Sequence, residues 1–153
     1  MSDYRNNPFN KESELFDALK NKLLPDLKKT EDKFSNYDCY SNKHQVYIEL
    51  KCRKSHYSRL IIEKLKYEVL LEKSKASGVD PVYINSTPFG VWAFRLNDIE
   101  EPKWREKNMP KETEFEDTFM ITKQVGFYDI NKGTISLGFL LFLKWLKIPL
   151  IRG

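Results

Sequence analysis

Residues 45–53 alternate without a break: Val46, Ile48, Leu50 and Cys52 are apolar, and Gln45, Tyr47, Glu49, Lys51 and Arg53 stand between them. Successive strand side chains point to opposite faces, so this run reads as a β-strand with one face in a core. The other face then carries a glutamate, a lysine and an arginine in a row. Such a face is either solvated surface or a site.

The segment after this strand narrows the fold. Ser58 to Lys75 places Ile61, Ile62, Leu65 and Val69 at helical spacing and runs out near Ala76-Ser77-Gly78, which predicts a helix and its end. PVYIN at 81–85 reads as a short buried strand, STPFG as a turn and VWAFRL at 91–96 as the returning strand. A strand, a helix of that length and another strand make a βαβ unit, setting 81–85 parallel to the strand that bears Glu49.

Upstream, Leu15, Phe16, Leu19, Leu23, Leu24 and Leu27 recur at helical spacing from Lys11 to about Lys28. Asn10 is the expected N-cap, and Pro25 is placed to kink that helix or end it early. Residues 29–36 read as a loop, Tyr37 to Tyr40 as a short strand, and SNKH at 41–44 as the turn of a hairpin that returns through 45–53. The expected fold class is therefore α/β, a central mixed β-sheet flanked by helices.

One domain is expected over 1–153, with its core in about 10–96 and a C-terminal extension over 97–153, since 153 residues are enough for one core and few for two. With 41% hydrophobic and 31% charged residues the chain has the balance of a folded domain, not of a disordered tail. Residues 97–118 are rich in Pro, Glu and Lys and read as an excursion over the body, with Trp104 and Phe115 as anchors. The mixed charge of 103–117 gives no indication of substrate. The tail LGFLLFLKWLKIPLIRG is interrupted by Lys144 and Lys147 and is too short to span a bilayer. It is expected to pack as a buried element; a subunit contact and an interfacial membrane helix are the other readings.

Asp38 falls on one arm of the expected hairpin, and Glu49 and Lys51 on the other. If the arms pair across the turn, two carboxylates converge, as a hard divalent cation requires. Lys51 projects to the same side, where an ammonium can hold an attacking water or stabilise charge on a phosphoryl group. Arg53 comes next on that face and could grip a neighbouring phosphate through two hydrogen bonds. Those are the parts of a phosphodiester hydrolase. A net charge of +4 permits a polyanionic partner without requiring one.

Asp38, ten residues and then Glu49-Leu50-Lys51 resembles the signature of the PD-(D/E)xK nuclease superfamily, with Tyr37 where the proline of its name stands. The element order of residues 10–96 is similar too: helix, hairpin with Asp38 and Glu49-x-Lys51, helix, strand. The resemblance is greatest to small phage or mobile-element endonucleases and junction resolvases. It implies a restriction-endonuclease-like core and hydrolysis of DNA with Mg²⁺, for which Mn²⁺ would substitute. Asp38 and Glu49 would be metal ligands, and Lys51 the partner of the catalytic base. Some members add a carboxylate from the first helix, for which Glu12, in phase with Phe16 and Leu19, is preferred to Glu14. Many carry a Gln or Lys on the following helix, for which Lys66 is preferred to Lys64.

Arg53, Lys54, Arg59 and Lys64 would extend positive charge toward nucleic acid, while Tyr47 and Tyr57 are placed for stacking or for packing. Cys39, His44, Cys52 and His56 lack the close cysteine pair with which structural zinc sites usually open, so zinc is not favoured. His56 is expected either to meet phosphate or to begin the helix. The polar N-terminus carries no secretory signal, which makes reduced cysteines and a cytoplasmic location in a bacterial or phage-infected cell the expectation. Cutting two strands calls for two sites, which a homodimer or higher homo-oligomer would supply. The competing readings are a non-cleaving nucleic-acid binding module on the same fold and a structural or interaction protein that uses its hydrophobic tail.

Overall fold

The computed structural model describes Phe9 and residues 11–31, 38–110 and 120–135. The expectations for residues 32–37 including Tyr37, for Phe115 and for the tail 137–153 lie outside the described residues, and the expected N-cap Asn10 is corrected to Lys11.

The first helix, α1 (Glu12–Lys22), follows Lys11 as its N-cap and buries Leu15 and Leu19. It ends before Pro25, whose missing N–H cannot continue the ladder. The expected extension to Lys28 is thereby corrected. Leu23, Leu24 and Leu27 still enter the core, through a bonded turn in which the Leu27 N–H donates to the Leu24 carbonyl at 2.9 Å. Lys28 and Lys29 then form β1 (Lys28–Lys29), which pairs with Tyr40 and Cys39 of β2 (Asp38–Ser41).

Across a turn in which Gln45 takes φ 54°, β2 pairs antiparallel with β3 (Val46–Cys52). β3 pairs in parallel with β5 (Asp80–Thr87), and β5 antiparallel with β6 (Gly90–Arg95). The short β9 (Thr134–Ile135) completes a six-stranded mixed sheet of order β1-β2-β3-β5-β6-β9. α1 covers one face, meeting Val46, Ile48, Leu50 and Cys52 of β3.

The other face is covered differently from the sequence expectation. Residues 59–63 form β4 (Arg59–Glu63), and α2 begins only at Lys64, running Lys64–Ser77 to a left-handed Gly78 cap. Leu60 and Ile62 are buried on one side of β4, and Tyr67 and Leu70 on α2, whereas Leu65 is 76% exposed. The run Arg59-Leu60-Ile61-Ile62-Glu63 follows period two because it pairs antiparallel with β8 (Met120–Asp129), and β8 pairs with β7 (Arg105–Pro110). Within the excursion, residues 105–110 are therefore strand. Trp104, as an anchor, stands edge-on to Tyr67 with ring centroids 5.2 Å apart. α2, β4 and β8 together close over Tyr47, Tyr83 and Phe94. Among the described residues no helix is long and apolar enough to cross a membrane.

Candidate active site

The hairpin register sets Asp38 directly opposite Glu49. Antiparallel partners share a face with Cβ atoms about 4.5–5.5 Å apart, so the two carboxyl groups converge. This face is not solvated: Asp38 is 3% exposed and Glu49 2%. Taking a carboxylate out of water disfavours its charged form. Burial accordingly pushes Glu49 up to about 7, outweighing the lysines Lys66 and Lys51. Burial also raises Asp38, against the opposing charges of Lys66 and Lys73, a hydrogen bond from Tyr47, and Lys51.

Each carboxylate is held by one oxygen. The Tyr47 hydroxyl donates to Asp38 Oδ2 at 3.4 Å, and Lys73 Nζ donates to the Tyr47 oxygen at 2.7 Å. Lys66 Nζ lies 3.6 Å from Glu49 Oε1. The remaining oxygens, Asp38 Oδ1 and Glu49 Oε2, are buried and have no hydrogen-bond partner among the described residues. An unsatisfied buried acceptor costs about 1–3 kcal/mol, more when charged. Two of them, from facing strands, are the donor set that a hard divalent cation takes. The residues present therefore fit such an ion through two protein ligands, with its other positions left to water or substrate oxygens.

A narrow cleft opens beside Glu49, bordered by Lys51, Arg53 and Lys66 and, on the small sheet, by Ile61, Glu63 and Met109. Lys51 is half-buried there, next to Glu49 on the same strand face and opposite Asn85 of β5. Lys66 and Lys73, seven residues apart on one side of α2, reach Glu49 and the Tyr47 that holds Asp38. Sequence reasoning missed Lys73, and placed Tyr47 only for stacking or packing. The available signal was the recurrence of lysine at that helical spacing.

Other expected site residues are placed elsewhere. Glu12 opens α1, which packs on the opposite face of the sheet; its charge, with that of Glu14, acts on the Cys52 thiol. Among the described residues no group of three or more His, Cys, Asp or Glu side chains could hold a metal ion, so Glu12 does not complete the pair. Lys64 turns to Glu68 at 3.8 Å on the surface of α2. Arg53 is turned inward. Its Nε donates to Asn85 Oδ1 at 3.1 Å, and its Nη2 to the Ile61 carbonyl at 2.9 Å and the Tyr83 hydroxyl oxygen at 2.8 Å. That edge of the guanidinium joins β3 and β5 to β4 and is not presented to a phosphate, because the buried polar atoms around it need a donor.

Lys54 is exposed in the bend after β3, and Arg59 is exposed on β4, not on a helix. His56 neither begins a helix nor faces outward alone: its ring packs between Phe89 and Trp92 at 4.5 and 5.1 Å, with Nδ1 2.9 Å from Thr87 Oγ1. Cys39 is fully buried on the α1 side, and Tyr57 is exposed.

No known family profile matches the chain, and no curated protein matches it in sequence. Among solved structures it is similar to Hjc, a Holliday junction resolvase from the archaeal hyperthermophile Archaeoglobus fulgidus, with a TM-score of 0.55 at 13% identity. The match covers 92% of this chain and 95% of that one. The fold is restriction-endonuclease-like.

Within that restriction-endonuclease-like fold, the β2–β3 hairpin carries the carboxylate pair and α2 supplies the lysines Lys66 and Lys73 beside it. The small sheet β4-β8-β7 forms the far wall of the cleft.

Proposed function

We propose that this chain is a divalent-metal-dependent DNA endonuclease that hydrolyses phosphodiester bonds, with Mg²⁺ as the working ion and Mn²⁺ able to replace it. The observation that carries the reading is the facing pair Asp38 and Glu49, each with a buried oxygen unpaired among the described residues, beside Lys51 and Lys66. The likeness of fold to a Holliday junction resolvase supports a nuclease over other hydrolases, and a branched DNA over a plain duplex as first substrate to try.

Asp38 and Glu49 would hold the ion. When bound, it supplies Lewis-acid neutralisation of the negative charge that builds on a phosphoryl group. Lys51, at the mouth of the cleft, orients the attacking water and adds positive charge near the scissile phosphate. Lys66 fixes the Glu49 carboxylate, and the Lys73–Tyr47 pair fixes Asp38, so that their unpaired oxygens keep one orientation. Two strands need two such centres, which a homodimer would provide.

The test is cleavage of supercoiled and four-way branched DNA with Mg²⁺, Mn²⁺ or chelator. Metal-dependent cutting that Asp38→Asn, Glu49→Gln and Lys51→Ala each abolish supports the reading. Retention of DNA without cutting under any metal would replace it with a non-cleaving binding module.

A further inference from the structure

Strand alternation sorts the charges of β7 and β8 by face. The register pairs Arg105 with Val125, Lys107 with Lys123 and Met109 with Ile121 on one face, and Glu106 with Gln124 and Asn108 with Thr122 on the other. A sequence of mixed charge thus becomes a basic face and a neutral-to-acidic one. On the basic face the half-buried ring of Phe127 collects three cations: the Arg105 guanidinium 4.5 Å from its centroid, that of Arg59 at 5.1 Å and Lys107 Nζ at 5.7 Å. Phe127 is the cross-strand partner of Ile61, which with Met109 and Glu63 borders the cleft beside Glu49. The face is continuous with the carboxylate site.

Gathering like charges costs stability, and Lys107 directly opposite Lys123 is an unfavourable strand pair. The acids on this face offset part of it: Glu63 is paired with Lys123 at 2.6 Å, and Asp129 is opposite Arg59 while accepting from the Asn131 N–H at 2.9 Å. Arg105 and Lys107 are exposed and lie against the ring beneath them. Cations held over an aromatic face keep their outer donors for an anion, and guanidinium groups suit phosphate geometry.

We infer that Arg59, Arg105 and Lys107, seated around Phe127 on the small sheet, form a phosphate-binding platform that carries a DNA duplex arm toward the Asp38–Glu49 site. This rests on the nuclease reading for its substrate but involves none of the proposed catalytic groups. Polyanion binding follows from the charge of the face; delivery to the site follows from its continuity with the cleft.

The experiment measures binding of a labelled four-way DNA junction by the full chain carrying Glu49→Gln, in Ca²⁺, across a salt series. Each phosphate contact contributes about 0.9 to the slope of log K against log salt, so Arg105→Gln/Lys107→Gln is expected to flatten it by about 2 and to weaken binding roughly tenfold at low salt. The charge-matched control Lys11→Gln/Lys43→Gln, both exposed and on none of the strands of the small sheet, should leave the slope unchanged. Arg105→Lys/Lys107→Arg should restore it, separating charge from fold. An unchanged slope in the double Gln variant overturns the platform while leaving the nuclease reading standing. Absence of binding by the unsubstituted face at any salt overturns both.

Discussion

Asp38 and Glu49 face each other across the β2–β3 ladder, and the oxygens that neither Tyr47 nor Lys66 holds are buried without a partner among the described residues. A fold selected for stability alone would not keep two such groups, since a polar isostere removes the charge at little change in shape. Glu49→Gln is therefore expected to lower cleavage by about 10²–10³-fold or more while raising the melting temperature of the chelated protein by a few degrees. Paired nicking assays and thermal melts check both halves.

The same burial sets a pH dependence. Glu49 is raised from its ordinary 4.5 to about 7 in the folded chain, so between those values the folded state binds a proton that the unfolded state has released. Stability of the metal-free protein is thus expected to fall as pH rises from about 4.5 to 7, by an amount on the order of 3 kcal/mol, and to level off above. Asp38, raised in the same direction, adds to the loss. Urea titrations in chelator at a series of pH values measure it, and Glu49→Gln should flatten the profile.

Lys73 is linked to Asp38 by hydrogen bonds that run through Tyr47. Tyr47→Phe and Lys73→Met are expected to weaken divalent-cation affinity and cleavage together by about 10–100-fold, as loss of an outer hydrogen bond to a ligand does. Calorimetric titration with Mn²⁺ provides the readout separate from activity. Unchanged affinity in both variants would remove the positioning role.

Leu60 is buried on β4 and Leu65 is exposed on α2. Leu60→Ala is expected to cost about 2–4 kcal/mol in denaturant unfolding and Leu65→Ala less than about 0.5. Equal costs would return residues 58–75 to a single amphipathic helix.

That pair also marks where the sequence was readable. The alternation of 46–52 is local, so the strand, its two faces and the hairpin that opposes Asp38 to Glu49 follow from neighbouring residues. The βαβ step and the Gly78 stop follow likewise. β4 does not, because Ile61 and Ile62 suit a helix face as well as a strand, and the partner that decides, β8, lies far along the chain. Glu49 and Lys51 could be placed together by period two and Lys66 set over them by its helix. The inward turn of Arg53 could not be read, because Asn85, Tyr83 and the Ile61 carbonyl come from strands that only the folded chain brings together. Arg105 and Lys107 looked uninformative until their strand register separated them from Glu106.

The most direct measurement is anomalous diffraction from crystals soaked in Mn²⁺. One peak within bonding distance of both Asp38 Oδ1 and Glu49 Oε2, lost in Glu49→Gln, is the expected result. A soaked crystal with no peak between these carboxylates, or with manganese bound equally well after Glu49→Gln, would contradict it.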